Sequence, residues 1–131
     1  MVRRCVMLYL TLSSTDSLAF NPENSASDFT VELPRAIEGK FTCALLDFSC
    51  TDIGEDLYIF TDICEPEYVH DAVKPLLRIV TESGEITLPH FKPVARQMIQ
   101  RVHVYIRNRY FNVPTHTLIG PVRITLGLEA L

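Results

Sequence analysis

Apolar residues alternate with polar ones along most of this 131-residue chain, and this period of two limits the possible folds more than any other property. Successive side chains of a β-strand point to opposite faces of a sheet, so the alternation predicts strands that bury one face. One run has Val102, Val104 and Ile106 alternating with His103 and Tyr105. Eight such runs are predicted, at residues 6–12, 29–33, 41–48, 57–63, 77–79, 86–88, 102–106 and 122–128.

The third run is apolar on both faces, as in a central strand that is packed on two sides. Its predicted faces are Phe41, Cys43 and Leu45 on one side, and Ala44, Leu46 and Phe48 on the other. The segment 82–85 (ESGE) predicts a hairpin turn, because Gly84 can supply the positive φ that such turns need. Eight short strands with turns between them favour an all-β sandwich or barrel. The chain, residues 1–131, is expected to form a single domain.

Composition excludes several classes of protein. The net charge is −4, from 12 basic and 16 acidic residues, which argues against a protein that coats nucleic acid. No apolar run approaches the roughly 20 residues of a membrane helix. Residues 5–10 are mostly apolar and follow Arg3 and Arg4, which superficially resembles a signal peptide. This apolar stretch is short, is broken by the alternation, and lacks a small-residue cleavage site. We interpret it as a first strand and expect no secretion through a signal peptide.

Residues that could carry chemistry do not form a recognisable site. The cysteines Cys5, Cys43, Cys50 and Cys64 show no paired metal-binding spacing, and buried thiols explain them best. The four histidines are scattered singly, without the spacing of a metal motif. His70 and Asp71 are adjacent, so on an extended chain their side chains diverge. The segment 13–17 (SSTDS) predicts a turn capped by its own side chains. The sequence therefore predicts no enzyme, no metal and no cofactor.

Charged residues divide unevenly along the chain. Residues 41–73 contain eight acids and no Lys or Arg, whereas residues 91–131 contain six bases and one acid. If the two regions lie on different flanks, oppositely charged surfaces of identical copies could pair. Ordinary solvated charge is the alternative explanation. The predicted contact residues are Asp52, Glu55, Asp56, Glu65 and Glu67 on the acidic side, and Arg101, Arg107, Arg109 and Arg123 on the basic side.

Several segments resemble, in order, the single jelly-roll minor capsid (penton-type) proteins of Polinton/Maverick elements and adintoviruses. In the first half, residues 20–34 (FNPENSASDFTVELP) are similar to the family's asparagine-rich turn and F-T-x-x-L-P strand. Residues 39–45 (GKFTCAL) are similar to its G-x-W-x-V-A-L strand. Residues 8–12 (LYLTL) match the strand that precedes them.

The second half resembles the same family more closely. Residues 57–66 (LYIFTDICEP) are similar to its Y-V-Y-C-D-I-V-x-P segment, and residues 75–80 (PLLRIV) to its P-L-L-R-I-V strand. Residues 90–94 (HFKPV) resemble its H-Y-x-P-V turn, and residues 102–107 (VHVYIR) its I-x-I-x-I-R strand.

The chain departs from the family pattern in three places. Phe41 stands where the family has Trp, the connection at residues 51–56 is short, and residues 125–131 lack the family's basic L-H-F-R ending. The short connection argues against a fibre- or receptor-binding role, because such functions usually reside on long loops.

The resemblance implies a single jelly-roll sandwich of about eight antiparallel strands in two sheets. It implies a structural minor capsid protein that forms a homopentamer at the five-fold vertices of an icosahedral virion and contacts the neighbouring major capsid protein. The protein would be made in the host cytoplasm or nucleus and would have no small-molecule substrate and no membrane partner. The alternative is a monomeric or trimeric jelly-roll attachment or ligand-binding module. That module would need an aromatic platform, for which Tyr105, Tyr110 and Phe111 are the candidates.

Overall fold

The computed structural model describes residues 7–50, 55–114 and 121–131, and within them the regular structure is entirely β. The strands are β1 (Met7–Ser13), β2 (Asp28–Glu38), β3 (Phe41–Ser49), β4 (Leu57–Thr61), β5 (Glu67–Val69), β6 (Ala72–Lys74), β7 (Leu76–Val80), β8 (Gly84–Glu85), β9 (Lys92–Pro93), β10 (Met98–Arg107) and β11 (Arg123–Ala130).

Two antiparallel sheets make up the sandwich. The first sheet has the strand order β1-β11-β3-β8, with β9 also paired to β3, and the second has the order β2-β10-β4-β7. Both β8 and β9 pair with β3, so they form one interrupted edge strand and each sheet has four strand positions. Most successive strands thus cross from one sheet to the other, whereas β4 and β7 are neighbours in the second sheet, and this order is that of a jelly roll. The predicted all-β, eight-strand jelly-roll sandwich is confirmed, and a small hairpin of β5 and β6 is inserted between β4 and β7.

The core lies between the sheets and contains the side chains that the alternation predicted to face inward. Strand β10 contributes Val102, Val104 and Ile106, all buried, while Arg101 on the same strand is exposed. Strand β11 contributes its even-numbered residues from Ile124 to Leu128. Each fully buried Val, Leu, Ile or Phe side chain contributes about 1.5–3 kcal/mol relative to an exposed one.

The prediction that Leu45 and Phe48 lie on opposite faces of β3 is wrong, because β3 has a bulge. Thr125 pairs with Asp47 but Leu126 pairs with Leu45, so Leu46 is the extra residue on β3. The bulge reverses the alternation, and Leu45 and Phe48 both enter the core. A lost ladder hydrogen bond costs about 1 kcal/mol, whereas burying Phe48 contributes about 1.5–3 kcal/mol. Burial therefore favours the bulged register.

The predicted hairpin at residues 82–85 is also corrected. Strand β7 belongs to the second sheet, but Gly84 pairs with Phe48 of the first, so this segment crosses between the sheets. The Ser83 hydroxyl donates to the Phe48 carbonyl at 3.1 Å and secures the crossing. Gly84 has φ +128°, a conformation that other residues rarely adopt. The strand predicted at 86–88 is replaced by the two-residue β8 immediately before it.

The loop between β1 and β2 is held by its own polar side chains, as predicted for residues 13–17. The Ser13 N–H donates to Asp16 Oδ2 at 2.9 Å. Asn24 donates from its amide nitrogen to the Thr30 carbonyl at 2.9 Å and accepts from the Thr30 N–H at 3.0 Å. These bonds fix the start of β2, including Asp28, which takes part in the site described below.

Candidate functional site

The acidic residues predicted to make subunit contacts lie at both ends of the sandwich. Asp52 falls outside the described residues. Glu55 and Asp56 are exposed immediately before β4. Glu65 is exposed beyond the other end of β4, and Glu67 on β5 accepts from Lys92 Nζ at 2.8 Å. Glu67 is thus already paired within its own chain.

The basic residues predicted to face them have different surroundings. Arg101 lies 3.5 Å from Glu32 on the neighbouring strand, with its side chain mostly exposed. Arg107 is largely buried and donates to the carbonyls of Ser27 and Ile106 at 3.1 and 2.8 Å. Arg109 lies over the ring of Tyr110, and Arg123 is exposed at the start of β11.

Register places acids and bases together at one end of the sandwich. Arg107 pairs with Tyr58, two residues after Asp56, and Arg123 pairs with Ser49 at the end of β3. The exposed acids Glu55 and Asp56 therefore share this end with Arg107 and Arg123. Among the described residues these acids and bases are therefore mixed at one end rather than separated on two flanks, and mixed charge can set the register of a subunit contact.

The outer face of the second sheet carries a second apolar cluster that the sequence reasoning missed. Tyr58, Phe60, Val69 and Leu76 are buried there, outside the main core. The β5–β6 hairpin supplies Val69 and covers part of this face. One signal in the sequence could have revealed this cluster. The run Leu57–Thr61 is largely apolar on both faces, so each face of this strand needs another part of the chain packed against it.

Two residues beside this cluster have left-handed backbone conformations that are costly for side chains other than glycine. His70 has φ 54° and Phe111 has φ 61°, and their ring centroids lie 6.4 Å apart. Each such residue costs roughly 1–3 kcal/mol and persists only where its surroundings enforce it. The enforcing contacts include a 2.7 Å hydrogen bond between His70 Nε2 and the Tyr58 hydroxyl, and packing of Phe111 on Phe60.

An open cleft of about 310 Å³ lies on this outer face. The rings of Phe60 and Tyr105 are stacked nearly parallel, with their centroids 4.9 Å apart, and Phe111 also lines the cleft. Its polar lining is Asp28, His103, Arg107 and Lys74.

Charged groups in the cleft are arranged around the rings. His103 Nε2 lies 2.7 Å from Asp28 Oδ1, and Arg107 reaches Asp28 Oδ2 at 3.5 Å. The Arg107 guanidinium lies 5.3 Å from the Tyr105 centroid, and Lys74 Nζ lies 5.6 Å from that of Phe111. Such cation–π contacts hold each cation beside a ring in the cleft.

Tyr105 supplies the only hydroxyl among the described residues that line the cleft. Burial raises the pKa of Tyr105, and the charges of Asp28 and Asp62 raise it further, against an opposing effect of Arg107. The phenol therefore stays protonated at neutral pH and can donate a hydrogen bond, but it is a poor base or nucleophile. This arrangement is suited to binding an anion beside a ring.

No protein-family model matches the chain, and no curated protein matches it significantly.

Metal and membrane features are also missing from the part of the chain that is described. Residues 7–50, 55–114 and 121–131 bring no three His, Cys, Asp or Glu side chains together in a group that could hold a metal ion. The same residues include no helix long and apolar enough to cross a membrane.

The sequence reasoning also missed a further surface, the unpaired edge of β1, which is the edge strand of the first sheet. Within the described strands β1 pairs only with β11, so its other edge is unpaired, and its sequence MLYLTLS has no charge and no proline. Tyr9 is 66% exposed on this strand. A groove beside it is lined by Leu10, Leu33 and Pro34, and Phe20, 76% exposed, borders the next groove along.

Proposed function

We propose that this protein is a structural minor capsid subunit that assembles as a homopentamer at the five-fold vertices of an icosahedral shell and contacts the neighbouring major capsid protein. The observation that carries this proposal is the jelly-roll strand order, β1-β11-β3-β8 in one sheet against β2-β10-β4-β7 in the other. It is the fold implied by the penton-type resemblance.

The fold alone admits several functions, because jelly rolls also occur in lectins and cupins. The penton-type resemblance favours the capsid function among them. Its matching segments run in order through most of the chain and fall on strands of both sheets. Residues 8–12 lie in β1 and residues 39–45 include the start of β3, both in the first sheet, whereas residues 57–66 include β4 and residues 102–107 lie in β10, both in the second sheet.

Assembly through the free edge of β1 is the contact that we propose between copies. An unpaired strand edge normally carries charge, proline or a bulge that prevents it from pairing with another chain. Strand β2 has such protection, since Pro34 lies on it and its register with β10 shifts between Ile99 and Arg101. Strand β1 has neither charge nor proline, and its exposed Tyr9 adds apolar surface for a neighbouring copy.

Exposed charges at the end of the sandwich where β3 ends and β4 begins would set the relative orientation of neighbouring copies. Glu55, Asp56, Arg109 and Arg123 are exposed there, and complementary charges fix register more than they add affinity. A contact between two different surfaces of identical copies forms a ring when the rotation closes.

The experiment is mass photometry of the purified protein, with the variant Tyr9→Lys. The expected wild-type particle has five times the 14.9 kDa mass of the chain. A lysine on the β1 edge is expected to weaken association by at least about tenfold.

The matched control is Tyr68→Lys, because Tyr68 is 88% exposed on β5, in the separate β5–β6 hairpin and not on the edge of β1. It should leave the particle mass unchanged. Wild-type monomers or trimers would contradict the pentamer, and equal effects of the two lysine variants would contradict the β1 contact.

A further inference from the structure

We propose that the cleft on the outer face of the second sheet binds one acidic saccharide residue, with its carboxylate or sulfate beside Lys74 and Arg107 and its ring against Phe111 and Tyr105. This inference goes beyond a structural role in a shell and does not depend on it. The cleft is built by strands β2, β4, β6 and β10 with the turn after β10, so it does not need a long loop.

Charge is the first reason for this assignment. Among the described residues Lys74 makes no ion pair, and its ammonium group lies over Phe111 at the cleft wall. Arg107 has one carboxylate neighbour, Asp28, which also pairs with His103. The residues that line the cleft thus include two full positive charges and a histidine against one carboxylate, Asp28. The charge of Asp62 also reaches Tyr105, but Asp62 is paired with Arg96 at 2.6 Å, so an anionic group is the favoured guest.

Preorganisation is the second reason. Arg107 is held by the carbonyls of Ser27 and Ile106, so its guanidinium needs little reordering to receive a ligand. Phe111 is held in its strained left-handed conformation, with its N–H donating to the Asn108 carbonyl at 3.0 Å. Strain of this kind concentrates at ligand-binding sites, where it fixes a side chain that would otherwise rotate away.

The combination of lining groups selects a saccharide. Asp28 is an acceptor beside the cations, and a ligand that is only an anion would bring no donor for it. An acidic sugar supplies hydroxyl donors for Asp28, an anion for Lys74 and Arg107, and an apolar ring face for Phe111 and Tyr105. The volume of about 310 Å³ lies at the lower limit for ligand sites, which matches one sugar ring.

The test is calorimetry and saturation-transfer NMR on the full chain with four probes: the methyl glycoside of glucuronic acid, a sulfated galactose, uncharged methyl glucoside and inorganic sulfate. We expect one of the two charged sugars to bind at least about tenfold more tightly than methyl glucoside, and more weakly as salt is added. Whether the carboxylated or the sulfated sugar binds more tightly identifies the anion.

The variants Lys74→Gln and Phe111→Gly locate the binding. Lys74→Gln should weaken binding of the charged sugar about tenfold, whereas Lys40→Gln, a matched change of an exposed lysine outside the cleft, should leave it unchanged. Phe111→Gly removes the ring but permits positive φ, so it should fold and lose binding.

Three results would overturn the proposal. The first is that neither charged sugar binds; the second is that methyl glucoside or inorganic sulfate binds as tightly as the charged sugars. The third is that Lys74→Gln and Phe111→Gly both fold and bind like the wild type.

Discussion

Leu46 occupies the space that a side chain at position 127 would need. A Cβ added at Gly127 would lie 2.9 Å from Leu46 Cδ1 and 3.3 Å from Met7 Sδ. Leu46 is the extra residue of the β3 bulge, so the glycine on β11 and the bulge on β3 belong to one packing arrangement on the outer face of the first sheet.

This arrangement predicts the effect of Gly127→Val. A branched side chain at this position must displace Leu46, and overpacking of this kind costs about 1–3 kcal/mol. Urea denaturation should show the lower free energy of unfolding. In the Leu46→Ala background the cost should largely disappear, because the two sites compete for the same space. Equal costs in both backgrounds would mean that Leu46 is not the obstacle.

Thr61→Val should stabilise the protein. Thr61 is completely buried, and its hydroxyl has no hydrogen-bond partner among the described residues. A buried hydroxyl without a partner costs roughly 1–3 kcal/mol, and valine has nearly the same shape. We expect the free energy of unfolding to rise by about 1 kcal/mol. The control is Thr125→Val, because the Thr125 hydroxyl is 3.4 Å from that of Thr11; a similar gain there would contradict the explanation.

Cys43 and Cys64 should resist alkylation in the folded protein. Both are free and buried, and a hydrogen bond with Cys64 together with burial raises the pKa of Cys43 far above that of an exposed thiol. Because the thiolate is the reactive form, iodoacetamide should modify these residues only after urea unfolds the chain. Mass spectrometry of the labelled peptides measures this. Labelling of the native protein that accelerates between pH 7 and about 9, as for an ordinary thiol, would be the contrary result.

The raised pKa of Tyr105 predicts that the folded protein loses stability at alkaline pH. Burial raises its pKa in the folded state, so above about pH 10 the unfolded chain loses this phenolic proton first. Stability contributed by the neutral phenol is present below pH 10 and declines as the pH rises. Subtracting the ultraviolet titration of Tyr105→Phe from that of the wild type should give a midpoint above the ordinary phenol value. A midpoint at or below it would refute the shift.

The alternation of apolar and polar residues determined the all-β class, the strands around Phe29, Val104 and Ile124, and the side chains that they bury. This information is local, because a strand presents the same two faces whichever strand it joins. The eight predicted runs therefore correspond to the eight positions of the jelly roll, apart from the displaced run at 86–88.

Only the tertiary structure decided the register, the bulge and the functional surfaces. The bulge at Leu46 depends on pairing with β11, and the crossing at Gly84 depends on which sheet accepts the strand after Val80. The cleft depends on Asp28 and His103, which are 75 positions apart in the chain. Strand pairing joins such distant residues through backbone hydrogen bonds that any side chain permits, so sequence periodicity carries no record of which strands will meet.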